Sequence, residues 1–276
     1  MVQALVNHEA LIRVIGFASV LGLMLLWERL ARYRPDPLPW RRITANLGLA
    51  AVDALLLRLL LPAAAVGAAL WAEARGFGLI AALDLPAAIA FALTIVILDL
   101  ALWAQHVLTH KVPLLWRLHR VHHSDIHFDT TTGVRFHPVE ILLSMAYKMG
   151  VVVLLGAPAA AVIAFEILLN GGALFNHGNV RLPALVERMA RLIVVTPDFH
   201  RVHHSARAAE TDSNYGFFLS VWDRLFRTYR PRPVDDPAVM MIGLPQWRET
   251  EAQSLPRLLL QPIEPLSEAT RSPCAP

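Results

Sequence analysis

Four apolar stretches govern what this chain can become: residues 10–30, 43–71, 86–105 and a broken run over 139–175. Each of the first three is about as long as the roughly 20 residues a helix needs to cross a bilayer. Hydrocarbon offers no partner for backbone N–H and C=O groups, so such stretches cross as helices. The fourth run is interrupted by Lys148, Gly156 and Pro158, which predicts a pair of shorter helices or a hairpin dipping into the membrane, with a buried core hairpin as the alternative. Composition agrees, since 55% hydrophobic and only 17% charged residues exceed what most soluble folds carry. The expected fold is all-α: an integral-membrane helical bundle of about four transmembrane or re-entrant helices, forming one domain over residues 1–230 with a cytoplasmic helical cap. Prolines recur from Pro231 onward, so residues 231–276 read as an extended tail, with the apolar piece at 255–260 lying on the membrane surface.

Charge sets the expected orientation. Arg29, Arg32, Arg34, Arg41 and Arg42 lie between the first two stretches, whereas Glu73, Arg75 and Asp84 lie between the second and third. Excess positive charge marks the cytoplasmic side, so the third stretch delivers His106 and all that follows to the cytoplasmic face. A bacterial inner membrane is the expected location. No basic region precedes the first stretch and basic residues follow it, as in a retained anchor rather than a signal peptide. The net charge of +3 comes with arginines flanking apolar segments, which suits anionic membrane lipids rather than nucleic acid. The single cysteine, Cys274, can neither close an internal disulfide nor hold an iron–sulfur cluster.

Twelve histidines are present, and all but His8 fall between positions 106 and 204. Their pattern is His106-x3-His110, then His119-x2-His122-His123, single His127, His137 and His177, and His200-x2-His203-His204. The six residues "HRVHHS" occur at 119–124 and again at 200–205. Side chains four apart share a helix face, so His106 with His110, His119 with His123, and His200 with His204 can each grip one ion. His122 and His203 stand a quarter-turn aside, which suits two neighbouring ions better than one. Eight clustered imidazoles also exceed what one first-row ion accommodates. Imidazole alone leaves zinc, copper and iron open. His8 and His127 read as structural residues. No "HExxH" is present, which counts against a zinc-dependent membrane hydrolase. The nearly all-apolar stretches count against a metal transporter. Asp99, Trp103, His106 and His110 form one stripe, with Asp99 placed either to orient a ligand histidine or to pair with Arg58.

The chain further reads "HVLTH" at 106–110, "LWRLHRVHHSD" at 115–125, "RFHPVE" at 135–140, "NHGNVRLP" at 176–183, "TPDFHRVHHS" at 196–205, "NYG" at 214–216 and "WDRLFRTY" at 222–229. From Asp99 onward this ordered set resembles the fatty acid hydroxylase superfamily, which includes sterol desaturases, C4-methyl sterol oxidases and alkylglycerol monooxygenase. The resemblance implies an oxygen-dependent di-iron enzyme that hydroxylates or desaturates a lipid. It implies two iron ions, for which zinc can substitute, and neither haem nor flavin. The implied catalytic and metal-binding residues are His106, His110, His119, His122, His123, His200, His203 and His204, with His177 as a further ligand. Asp99, His137, Asn214 and Asp223 are the implied supports behind them. Electrons are expected from a separate electron-transfer protein, because the chain has no soluble extension long enough for a fused cytochrome b5 domain. Two positions depart from the pattern: Val107, where many relatives have arginine, and Arg227, where they have glycine.

Overall fold

The computed structural model describes residues 8–35, 39–62 and 64–265; Cys274 lies outside them. Every described element is helical, apart from two isolated bridges, Val194–Leu219 and Ser205–Ile242. Five segments are long and apolar enough to cross a membrane: Leu11–Leu30, Trp40–Glu73, Ala87–Lys111, Pro138–Leu155 and Ala159–Asn176. The chain is the expected all-helical integral membrane protein, and the broken run forms a pair of helices of 18 residues each, which brings the candidate spans to five.

The first segment is α1 (Glu9–Leu30). The second comprises α2 (Trp40–Leu60) and α3 (Ala64–Glu73). Its 34 residues would measure about 51 Å as one straight helix, against a hydrocarbon core of about 30 Å. The chain breaks between Leu61 and Ala64, where Ala64 adopts φ +43°. Pro62, which cannot donate a helical N–H, is the local cause. A short helix α4 (Leu79–Leu83) follows, then α5 (Ala87–Lys111), which carries the first two histidines of the cluster.

Helices α7 (Pro138–Leu155) and α8 (Ala159–Asn176) make the hairpin. Their turn uses Gly156 at φ +66°, and Gly78 packs so closely that a Cβ there would lie 2.3 Å from the Gly156 nitrogen. Lys148 does not interrupt α7. Its Nζ donates to Glu166 on α8 at 2.6 Å, and Glu166 also pairs with Arg13 of α1 at 3.0 Å, so the charges buried among apolar helices compensate one another. Around them, small fully buried residues such as Ala65, Ala69 and Ala161 let the helices pack closely against Leu98, Val152 and Val162.

All histidine-bearing elements gather at one end of the bundle. Helix α6 (Pro113–His123) follows α5 after one residue. A 3-10 turn at Thr130–Val134 leads to α7, and α9 (Ala184–Ala190) and α10 (Pro197–His203) follow α8. The loop between α1 and α2 lies at this same end. Glu28, near the end of α1, accepts from the Thr130 and Asn179 N–H groups at 2.7 Å each. Arg42, near the start of α2, donates to Asp125 at 2.7 Å and also to Asp129.

Residues 250–263 of the proline-rich tail form short helical turns. Leu255–Leu260 is a short helix whose Leu258 is fully buried against Ala45, Leu49 and Val121. Arg117 donates to the Pro262 carbonyl at 2.8 Å, and Arg120 donates to the Gln261 carbonyl. This part of the tail therefore braces α6 from behind.

Candidate metal centre

Nine histidines assemble into two adjoining groups. His106, His110, His119, His123 and His203 form one; His122, His177, His200 and His204 form the other. Within each group the candidate ligand atoms lie within 4.8 Å of one another, and every ring is buried. The helical period explains the division. On α6 the i,i+4 pair His119 and His123 faces the five-histidine group while His122 turns to the other. On α10 the roles are exchanged: His200 and His204 face the four-histidine group, and His203 turns to the five. Thr196 caps α10 by accepting from the Phe199 N–H at 3.3 Å, and Pro197 follows at its first position. His177 joins the second group from the C-terminal end of α8.

The hydrogen bonds behind the rings fix which nitrogen faces inward. The Nδ1 atoms of His106, His203 and His177 lie 2.7 Å from the carbonyls of Tyr215, Ser213 and Ala173, and that of His122 lies 3.2 Å from the Arg135 carbonyl. A carbonyl only accepts, so each of these nitrogens carries the hydrogen and leaves Nε2 as the inward lone pair. His119 does the same against a carboxylate, with Nδ1 2.6 Å from Glu140 Oε1.

These inward nitrogens meet without hydrogens to share. His122 Nε2 lies 3.1 Å from His177 Nε2, and His203 Nε2 lies 3.1 Å from His106 Nε2. Burial pushes His177 down to about 4 and His203 to about 3, and holds His122, His123, His200 and His204 well below the usual imidazole range. Neutral rings with Nδ1–H turned outward oppose two lone pairs at these contacts, which a shared cation resolves and a hydrogen bond does not. The buried Nε2 of His123, both nitrogens of His110, and Nδ1 of His200 and His204 have no hydrogen-bond partner. The donor set thus fits metal ions, and its division into two groups fits two of them.

The four residues expected behind the ligands take different places. Asp223 accepts from the Tyr215 and Gly216 N–H groups at 2.8 Å each, and from Trp103 Nε1 at 3.2 Å. It thereby fixes the carbonyl that orients His106. Asn214, at φ +54°, donates to the Phe199 and Arg230 carbonyls at 2.9 Å and so ties α10 to the following loop. Asp99 orients no histidine and pairs with no Arg58. It accepts from Trp222 Nε1 at 2.7 Å and the Leu219 N–H at 3.2 Å, and so anchors the start of the short helix Val221–Leu225 on which Asp223 sits. His137 caps α7, accepting from the Val139 N–H at 3.2 Å, and stands outside both groups. His127 and the exposed His8 also stand outside them. Arg227 sits at φ +62°, the left-handed region that glycine adopts without strain.

Two features have no counterpart in the histidine spacing. Glu140 was visible only as the last residue of "RFHPVE", with nothing to mark it as the partner of His119. Behind His122 lies a buried polar network in which Arg135 donates to the Val121 carbonyl at 2.8 Å, to Ser124 Oγ at 2.8 Å and to Asn46 at 3.1 Å. Burial alone would raise the Asp125 carboxyl, but Arg42 and Arg135 hold it below the usual carboxylate range.

A cavity of about 590 Å³ reaches His106, His119 and Glu140 and continues down the bundle. Its α2 wall runs from Ala50 to Leu61, about 16 Å of helix. Phe17, Leu57, Leu102 and Met145 make much of its surface apolar.

A family model described as fatty acid hydroxylase matches residues 91–228, half of the 276-residue chain. An ornithine lipid hydroxylase of Rhizobium tropici is 35% identical over 150 residues, covering 54% of this chain and 44% of that protein. Alkylglycerol monooxygenase of Danio rerio is 30% identical over 136 residues, covering 48% and 29% respectively. The Homo sapiens alkylglycerol monooxygenase is 26% identical over 129 residues, covering 45% and 27%. The match spans less than half the length of these relatives. No solved structure matches the chain.

Proposed function

Because the chain belongs to the fatty acid hydroxylase family, we propose that it is a membrane-bound, oxygen-dependent di-iron enzyme that hydroxylates or desaturates a lipid. The observation that carries this reading is the pair of adjoining buried histidine groups opening onto an apolar cavity among the membrane-spanning helices. Two iron ions bound there would supply the redox chemistry that activates dioxygen against an unreactive C–H bond. The residues of the chain do the rest. Carbonyls of Tyr215, Ser213, Ala173 and Arg135 hold four rings in one tautomer. The walls of the cavity admit a lipid to His106 and His119 and exclude water from them.

The relatives named as lipid hydroxylases and monooxygenases support the reaction class. Reducing equivalents come from a separate electron-transfer protein. The arginine-rich loop at 29–42 shares the end of the bundle with the histidines, which supports a centre at the cytoplasmic face, here of a bacterial inner membrane. The test combines metal analysis of purified protein with isotopic oxygen. About two irons per chain are expected, together with a lipid product whose new oxygen comes from labelled dioxygen. Zinc in place of iron, with product oxygen drawn from labelled water, would transfer the assignment to a zinc-dependent hydrolase.

A further inference from the structure

The cavity that leads to the histidines is apolar along much of its wall, yet two buried carboxylates line it. Asp53, from α2, and Glu140, from the first turn of α7, are each 7% exposed. Glu140 spends Oε1 on His119, and its Oε2 is buried without a partner. Asp53 Oδ1 is likewise buried without a partner, and among the described residues no hydrogen bond or ion pair ties Asp53 to the protein. Arg13 and Arg58 also line the cavity: Arg13 pairs with Glu166 at 3.0 Å, and Arg58, five residues further along α2, is exposed and forms no ion pair with Asp53 among the described residues.

A carboxylate withdrawn from water and left unpaired is costly, whereas one that meets a donor is not. A bare hydrocarbon filling this cavity would leave both oxygens unsatisfied. A hydroxyl or ammonium group would satisfy them and would come to rest beside the ring that Glu140 orients. Asp53 also lies outside residues 91–228, the stretch that matches the family model.

We propose that Asp53 and Glu140 form a polar subsite that selects a lipid bearing a hydrogen-bond donor, a hydroxyl or an ammonium, close to the carbon presented to the histidines. The substrate class is then a donor-bearing lipid rather than a plain hydrocarbon chain. Glu140 orients His119 and receives the donor together with Asp53; Asp53 touches only the lipid and fixes which carbon reaches the centre. This deepens the oxygenase reading and rests on it for the identity of the reaction.

Binding, read without turnover, tests the subsite separately from the reaction. Radiolabelled octadecane, octadecanol and octadecylamine are equilibrated with the iron-loaded, full-length protein in detergent. The wild type should hold octadecylamine or octadecanol roughly tenfold or more tighter than octadecane, the worth of one buried charge-assisted hydrogen bond. Agreement of both donors would assign the subsite to either group; preference for one would assign it to that one. Asp53→Leu should bring all three affinities together, with octadecane held at least as tightly as by the wild type, while iron content stays unchanged. Exchanging an unpaired buried carboxylate for an apolar side chain does not tax folding, and the wild-type comparison stands even if that variant fails to express. Equal binding of the three probes by the wild type would overturn the proposal, as would a preference that survives Asp53→Leu. Either result could coincide with successful incorporation of labelled dioxygen, so loss of the subsite would not be mistaken for loss of the oxygenase reading.

Discussion

Removing Glu140 should weaken metal binding without weakening the empty fold, and the two effects can be read on the same samples. Glu140 Oε1 takes the Nδ1 hydrogen of His119 at 2.6 Å, within a buried setting. A hydrogen bond to an ionised group of this kind contributes about 1.5–3 kcal/mol, equivalent to roughly 10- to 150-fold in an equilibrium constant. Partners behind ligating histidines typically cost about 10- to 100-fold when mutated. The two estimates overlap, so Glu140→Leu should lose iron at roughly 10- to 100-fold lower concentrations of a competing chelator. Glu140→Gln should fall between, since its amide oxygen still accepts but carries no charge. The metal-free protein should behave differently: the variant sheds a buried charge, and the neutral His119 ring can move its hydrogen to Nε2, 3.0 Å from His106 Nε2, so its melting temperature in detergent should fall little. The assay is a chelator titration with elemental analysis, paired with melting of the stripped protein. If Glu140→Leu kept iron at wild-type chelator concentrations, or if its metal-free form melted far below the wild type, Glu140 would be a fold-holding residue and its role behind His119 would be refuted.

Arg42→Leu leaves Asp125 and Asp129 without the guanidinium that joins them, and breaking such a buried pairing costs about 3–5 kcal/mol; an unchanged detergent melting temperature would contradict this. Arg227→Gly should stabilise the protein by a few tenths to about 1 kcal/mol, because φ +62° strains arginine and not glycine; a lowered melting point would show that the arginine side chain outweighs the strain. In a background carrying Cys274→Ser, a cysteine at exposed Arg75 should be labelled from outside intact cells while one at exposed Ala208 is labelled only after permeabilisation; the reverse pattern would invert the orientation and place the electron supply on the other side.

The membrane segments and the histidines were legible because both depend on periodicity, the one of length and the other of helical face. The interleaving followed from the same rule: in each "HxxHH" the i,i+4 pair goes one way and the i+3 residue the other. What lay beyond the sequence was pairing across turns. Nothing in the chain between them tells that His119 meets Glu140, 21 positions on, because the 3-10 turn at Thr130–Val134 sets that approach. The carbonyls that orient His106, His122, His177 and His203 leave no side-chain trace at all. Asp99 was recognisable as a buried charge that needs a partner, but Trp222 stands 123 positions away. The bend at Pro62 was present in the sequence yet overridden by the continuity of the apolar run around it.

The interleaving of the two histidine groups has a consequence for biogenesis. Each group draws on residues from both copies of the repeated motif, and the first group alone spans His106 to His203. A nascent chain halted before residue 200 therefore presents no finished nest for either ion, however many histidines have emerged. The ends must be brought together by insertion of the α7–α8 hairpin, which lies between the two motifs and converts a long loop closure into the docking of two preformed helix ends. A chain whose hairpin fails to insert would carry the imidazoles of each group apart, with neither set of metal-binding donors complete.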